Sequence, residues 1–270
     1  MSGRGIMTRT LRGFTRTLAH TLVQEDSARQ PGLLQGLDAR VKLVGMLALV
    51  VAAALSRRLT VILALFALGV LLALASRLSL WSLARRVWLV AAAFTFLIAF
   101  PALFLTPGQT LLALGPLRVT VQGTRAALLL MARVEAAVTL STLLVLTTPW
   151  MHLLKALRTL FVPVEAIALL AMTHRYVMLL SETANAMFES RQSRMVGQLS
   201  GRKQRRLMVN TGGVLMSKTF ALGEEVFLAM QSRGYRGEVR LLTDFRLRGV
   251  DYAAMLSFAA CAIVALLAGR

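Results

Sequence analysis

One cysteine, three histidines and twelve carboxylates in 270 residues leave this chain poor in the side chains on which most enzymes and metal sites depend. A single cysteine, Cys261, excludes a disulfide within the chain, and its place inside an apolar run argues against a thiolate metal site. His20, His152 and His174 are not spaced with one another as ligands. There is no GxxxxGK phosphate loop, no Rossmann fingerprint and no paired acidic motif, which argues against a nucleotide site and against metal-dependent lipid transfer. With no Cys–His arrangement either, the case for hydrolytic or redox catalysis is thin, and no catalytic residue, metal ligand or cofactor is expected. Residues 1–40 are Arg-rich and lack the apolar core of a signal peptide, so the N-terminus is expected to be retained and cytoplasmic.

What the chain has in abundance is apolar surface. It is 57% hydrophobic and only 16% charged, with a mean hydropathy of +0.67. That composition predicts an all-α polytopic membrane protein whose first partner is the lipid bilayer. A hydrocarbon core of ~30 Å needs roughly 20 apolar helical residues. Five stretches approach that length, at 41–56, 59–76, 87–106, 121–148 and 250–268. The third contains Pro101, tolerated in a membrane helix as a kink. "TPGQTLLALGPLRV" (106–119) has turn residues at both ends and a short β-compatible run, so it reads as a loop with a small hairpin.

Between 149 and 249 charges arrive at helical spacing, and the texture becomes amphipathic. "TTPWMHLLKALRTLFVP" (147–163) predicts a helix with a threonine N-cap before Pro149 and a stop at Pro163. A long helix is expected from 163 to about 195, then a polar break at 197–206, then a helix over about 208–233. The half-apolar "VEAIALLAM" (164–172) resembles part of a membrane span, but His174, Arg175, Glu182, Glu189, Arg191 and Arg194 follow it, too many charges for lipid. The chain thus divides into a cytoplasmic N-terminal segment (1–40), a four-helix transmembrane region (41–148), a cytoplasmic region of long amphipathic helices (149–249) and a C-terminal transmembrane helix (250–270). Segments 1–42, 76–86 and 149–249 hold 7, 3 and 15 of the 31 Lys and Arg residues, against 4 on the opposite side. The positive-inside rule then puts the N-terminus in the cytoplasm and the C-terminus outside, with Arg57 and Arg58 the exceptions.

Glu135, in "ARVEAAV", is the one acidic residue deep in an apolar segment. An intramembrane carboxylate is either part of a proton or cation relay or the partner of an arginine, here Arg125 or one from elsewhere, since Arg133 does not share its helix face. His174 beside Arg175 reads as structural, and Met172, Met178 and Met187 as packing on an apolar helix. The basic run "GRKQRR" (201–206) lacks the interleaved aromatics of a nucleic-acid site and reads as a membrane-proximal loop. No nucleic-acid partner is expected.

The tripeptide QSR occurs twice, in "ESRQSRMVG" (189–197) and "AMQSRGYRG" (229–237). Arginine at a helix C-terminus is favoured by the macrodipole, and glycine beyond it is a common cap. Two copies on successive amphipathic helices offer two guanidiniums to acidic clefts, a task suited to arginine's rigid, permanently charged fork. Paired sites call for a two-fold partner.

These two segments resemble the paired Ala-Arg-Gly-type signatures of the transmembrane T component of energy-coupling factor (ECF) transporters. "LDARVKLVGMLAL" (37–49) is similar to that family's entry into its first helix. "LTTPWMHLLKALRTLFVP" (146–163) and "THRYVMLLSETANAMFESRQSR" (173–194) are most similar to its cobalt branch, the CbiQ-type proteins. The resemblance covers about residues 37–250. It implies a non-catalytic scaffold of an importer in the bacterial inner membrane, most similar to those for cobalt. In such importers each signature arginine docks on one of two ABC-type ATPase subunits, which supply the ATP hydrolysis. The long helices pass the ATPase movement to a separate substrate-binding membrane (S) subunit, CbiM-like, with or without a small accessory membrane subunit. Carried over residue by residue, the signatures fall on Ser193, Arg194 and Met195 and on Ser232, Arg233 and Gly234. Serine stands for alanine in both, and Met195 replaces glycine in the first, with Gly197 nearby as a substitute cap. Arg191, on another helix face, is a secondary candidate beside Glu135. The alternative is a self-sufficient ion-coupled secondary transporter using Glu135 and His174; a membrane-embedded enzyme is a third, remote reading.

Overall fold

The computed structural model describes residues 32–105, 109–114, 117–193, 201–235 and 248–270. In chain order the elements are α1 (Ala39–Leu55), α2 (Leu59–Ala75), the short α3 (Leu80–Leu83), a π-helical turn (Ala84–Trp88), α4 (Leu89–Leu105), β1 (Thr110–Leu114) and β2 (Leu117–Thr120). They continue with α5 (Val121–Thr147), α6 (Trp150–Leu157), a 3₁₀ turn (Arg158–Leu160), α7 (Val164–Ser193), α8 (Gly201–Ser232) and α9 (Gly249–Ala268). The described residues divide into two compact units, one within Glu25–Thr159 and Phe245–Arg270, the other within Leu160–Asp244.

The first unit is a helical bundle. The five apolar stretches of the sequence fall on α1, α2, α4, α5 and α9, and the run at 110–120 forms the small hairpin, antiparallel with Leu114 opposite Leu117. α1 and α5 run antiparallel. Lys42 near the start of α1 meets Thr147 at the end of α5, and Ser56 after α1 meets Arg133 in mid-α5. Leu34, Met46, Leu49, Ile62, Leu140 and Leu143 form the centre of a dry core. Glycine lets helices close in where a side chain would collide. A Cβ at Gly45 would fall 2.6 Å from the Phe258 ring on α9, and one at Gly69 of α2 would lie 3.1 Å from Thr139 on α5. Thr139 is itself held twice, its hydroxyl accepting from Trp88 Nε1 (2.9 Å) and donating to the Glu135 carbonyl (2.6 Å).

Three described helices are long and apolar enough to cross a membrane: α5, α9 and the Val164–Arg191 part of α7, while α2 and Leu89–Pro101 of α4 are shorter apolar helices. α7 thus reaches spanning length despite the charges that mark 149–249 as cytoplasmic in the sequence. Pro101 lies inside α4, which continues four residues past it.

Two local expectations give way. Thr148 does not cap the helix after it: its backbone is extended at the end of α5, and the Pro149 carbonyl instead accepts the first N–H groups, from His152 and Leu153 at 3.0 Å each. α6 then tightens into the 3₁₀ turn and stops before Phe161, short of Pro163. Phe161 has φ +59° and is 96% exposed. α8 begins at Gly201, not near 208. The polar run after 201 is made largely of Arg, Lys and Gln, good helix formers that need no buried face.

The second unit consists of α7 and α8. Pro163 accepts from the Ile167 N–H (3.2 Å), opening α7, and Glu165 in its first turn suits the positive helix end. Ile167, Ala184, Asn185 and Thr211 are buried. Val209, Met216, Phe220 and Phe227 recur at helical spacing on one face of α8, all exposed, with Gly213 and Gly223 between them.

Candidate functional site

An α-helix ends with four backbone carbonyls that lack intrahelical donors, and the residues after it decide how they are satisfied. At the end of α8 the solution is a Schellman turn. The Tyr235 N–H donates to the Met230 carbonyl (3.1 Å) and the Gly234 N–H to the Gln231 carbonyl (2.9 Å). Gly234 sits at φ +85°, the left-handed region glycine enters without a Cβ penalty, so the SRG spelling is a geometric requirement here. Arg233 is the residue at the turn, and its side chain is exposed.

Ser232 and Ser193 behave alike. The Ser232 hydroxyl donates to the Ala229 carbonyl (3.0 Å) and the Ser193 hydroxyl to the Ser190 carbonyl (2.9 Å), each three residues back on its own helix. Each hydroxyl is therefore satisfied internally, and the serines present little more than an alanine would, which accounts for serine at both signature positions. Arg194 and Met195 lie outside the described residues, as does Gly197. Ser193 is the last residue of α7, whereas Ser232 is the last of α8, a helix of 32 residues that spans about 48 Å at about 1.5 Å per residue.

Arg191 has a different job. It is half-buried, and its Nη1 donates to the Leu207 carbonyl (3.3 Å), tying the end of α7 to the second turn of α8. Arg233 and Arg191 therefore differ, the one at an exposed helix end and the other an internal brace.

Glu135 is half-buried in α5, and both carboxylate oxygens are buried without a hydrogen-bond partner among the described residues. The pairing with Arg125 considered from the sequence is not made. Arg133 turns instead to α1, its Nη2 donating to the Ser56 carbonyl (2.8 Å). His174 is half-buried on α7 with Arg175 exposed beside it. Among the described residues no three His, Cys, Asp or Glu side chains come together as metal ligands.

Sequence reasoning missed a second polar site, at the end of the bundle where α1 and α9 begin and α5 ends. Asp38 caps α1, its Oδ1 accepting from the Arg40 N–H (2.8 Å). One turn on, Lys42 is 2% exposed, and its ammonium donates to the Thr147 carbonyl (3.0 Å), the last of α5. Asp251, in the first turn of α9 and 4% exposed, accepts through Oδ1 from the Asp38 N–H and through Oδ2 from the Arg248 N–H, 2.8 Å each. The carboxylates of Asp38 and Asp251 lie close enough to act on the lysine charge. The available signal was an Asp–Lys pair four residues apart at the mouth of one apolar helix and a lone Asp at the mouth of another.

Comparison with known proteins gives this helical chain a family. The sequence profile of the cobalt transport protein family CbiQ matches residues 32–243. An uncharacterized protein of Methanocaldococcus jannaschii is 28% identical over 92% of this chain and 87% of its own length. The energy-coupling factor transporter transmembrane protein EcfT of Limosilactobacillus fermentum is 30% identical over 82% of this chain and 85% of its own. The cobalt transport protein CbiQ of Rhodobacter capsulatus is 30% identical over 53% of this chain and 60% of its own. A multi-pass membrane protein with these relatives is a transporter transmembrane component, and the chain belongs to the CbiQ family of cobalt transport proteins.

Proposed function

We propose that this chain is the coupling subunit of an ECF-type importer for cobalt(II), holding two ABC-type ATPase subunits on the cytoplasmic side and passing their movement to a substrate-binding membrane subunit. The observation that carries the reading is the end of α8: an exposed arginine set on a glycine-dependent turn, next to a serine whose polarity is spent on its own helix. Such an end offers a guanidinium on a rigid stalk and little else. The other copy of the signature, Ser193, Arg194 and Met195, belongs to the end of a different helix in the sequence, and two separate copies suit two ATPase docking sites better than one. The excess positive charge of 149–249 supports a cytoplasmic position for both, with the N-terminus inside and the C-terminus outside. Transport chemistry then belongs to the partners: ATP hydrolysis to the ATPases, cobalt recognition to the S subunit.

Removing one arginine from a desolvated ion pair costs on the order of 3–5 kcal/mol, mostly by stranding the acid it faced. Arg233→Ala and Arg194→Ala are each expected to weaken copurification of the ATPases and lower cobalt uptake, and the double variant to abolish both. Wild-type uptake of radiolabelled cobalt by the double variant would overturn the coupling role. The alternative, a carrier that works alone, draws on the unpartnered oxygens of Glu135. It requires uptake into liposomes that contain this chain only and are driven by an ion gradient.

A further inference from the structure

Within the bundle, α2 begins where α9 ends. The Arg57 N–H donates to the Gly269 carbonyl (2.8 Å), which ties the start of one helix to the end of the other. From this tie a groove of about 520 Å³ runs between the two, lined by Thr60, Ala64 and Leu68 of α2 and by Ala260, Cys261 and Val264 of α9. It follows α2 from Thr60 to Leu68, about 12 Å at about 1.5 Å per residue, and the Thr60 hydroxyl is the one side-chain oxygen among these lining residues. At the tied end the chemistry changes. Arg57 and Arg58 stand exposed immediately before α2, whose start no side chain caps, and among the described residues no carboxylate pairs with either arginine. A third guanidinium reaches the neighbouring residue, where Arg133 Nη2 donates to the Ser56 carbonyl (2.8 Å). Arg57 and Arg58 also run against the charge bias that orients membrane chains, so topology gives no reason for them.

We propose that this groove binds one anionic phospholipid, with an acyl chain between α2 and α9 and the phosphate against Arg57 and Arg58. An apolar slot with a cationic mouth fits a ligand that is apolar along its length and anionic at one end. In a bilayer the chain itself gains little from the slot, because lipid tails are as apolar as its walls. Preference among lipids therefore falls to the arginines, at about fivefold for each charge. All of these residues belong to the bundle unit, and the inference is independent of the coupling reading.

The chain carries its own probe. Cys261 is the single cysteine, it is exposed and lines the groove, and it lies eight residues before Gly269, about 12 Å along α9 at about 1.5 Å per residue. Arginines that merely attract headgroups to the surface would leave it open. The full chain, purified in detergent, is titrated with phosphatidylglycerol or with phosphatidylcholine of the same acyl chains, and alkylation of Cys261 by N-ethylmaleimide is timed. Phosphatidylglycerol is expected to shield Cys261 at a concentration about thirtyfold lower than phosphatidylcholine, and sn-glycerol 3-phosphate, which has no chain, to give no shielding. In the double variant Arg57→Gln with Arg58→Gln the two lipids should shield alike; both side chains are exposed, so their loss leaves the packing intact. Raising NaCl from about 0.05 to about 0.5 M, which needs no variant, should cut the wild-type preference to less than about fivefold. Equal shielding by the two lipids in the wild type, a preference that survives in the double variant or at high salt, or shielding by glycerol phosphate would each overturn the proposal. So would a Cys261 that no lipid shields and that only copurified subunits protect, the result expected if a partner's helix fills the groove.

Discussion

The bundle is the more apolar of the two units, and the two put their apolar residues to different use. In the bundle, Met46, Leu49, Ile62, Leu140 and Leu143 have essentially no exposed surface, and glycines are placed where another helix presses in. In the second unit the buried apolar side chains among the described residues are Ile167 and Ala184, while Val209, Met216, Phe220, Phe227 and Leu228 lie open. Gly212, Gly213 and Gly223 on α8 have nothing within 4 Å of where a Cβ would sit. The bundle has a buried centre and still exposes Leu71, Phe94, Leu97 and Leu256, an apolar exterior that suits lipid. The second unit has almost no buried centre among the described residues, so its two helices hold few apolar side chains between them.

The sharpest way to break this contrast is to truncate one large side chain in each unit. Met46→Ala removes a side chain that is 1% exposed and should cost about 2–5 kcal/mol, seen as a lower unfolding temperature in detergent. Phe220→Ala, at a site 65% exposed, should change the same transition by no more than about 0.5 kcal/mol. Equal losses would mean that the two units do not differ as described.

Glycines sharpen the contrast because the same substitution should change sign. Gly45→Ala drives a methyl into the Phe258 ring and should destabilise the subunit by about 1–3 kcal/mol. Gly212→Ala meets open space in mid-helix and should stabilise α8 by roughly 0.5–1 kcal/mol, read as slower amide exchange along that helix. Destabilisation by Gly212→Ala would show a packing contact at that face. The most local expected effect is at the helix end. Gly234→Ala, also free of collision but held at φ +85°, should fray the last turn of α8 at a cost of about 1 kcal/mol, measured as faster exchange at Tyr235 with the bundle unchanged.

Much of this architecture was legible in the sequence because a bilayer imposes length and polarity on anything that crosses it. The five apolar stretches fell on helices within a few residues, and the turn residues around 106–119 marked the hairpin. The start of α8 was misread because the Arg- and Lys-rich run at 201–206 looks like a solvated loop, and polarity does not distinguish a loop from an exposed helix. The π-helical turn at Ala84–Trp88 has no sequence signature; its last residue, Trp88, donates to the Thr139 hydroxyl. At the site, the glycine after Arg233 foretold the Schellman turn, since only a left-handed position demands it. The polar site of Asp38, Lys42 and Asp251 was not foreseen. Its partners are separated by up to 213 residues, and no local periodicity connects them.

The notch at Gly45 and the ring of Phe258 that fills it are equally far apart in the chain. A ribosome delivers α1 first and α9 only after every intervening helix has been made. Until then the groove at Gly45 has no Phe258 ring to fill it. A chain arrested or cleaved before α9 therefore carries a visible flaw on its first helix, and completion of synthesis is what conceals it.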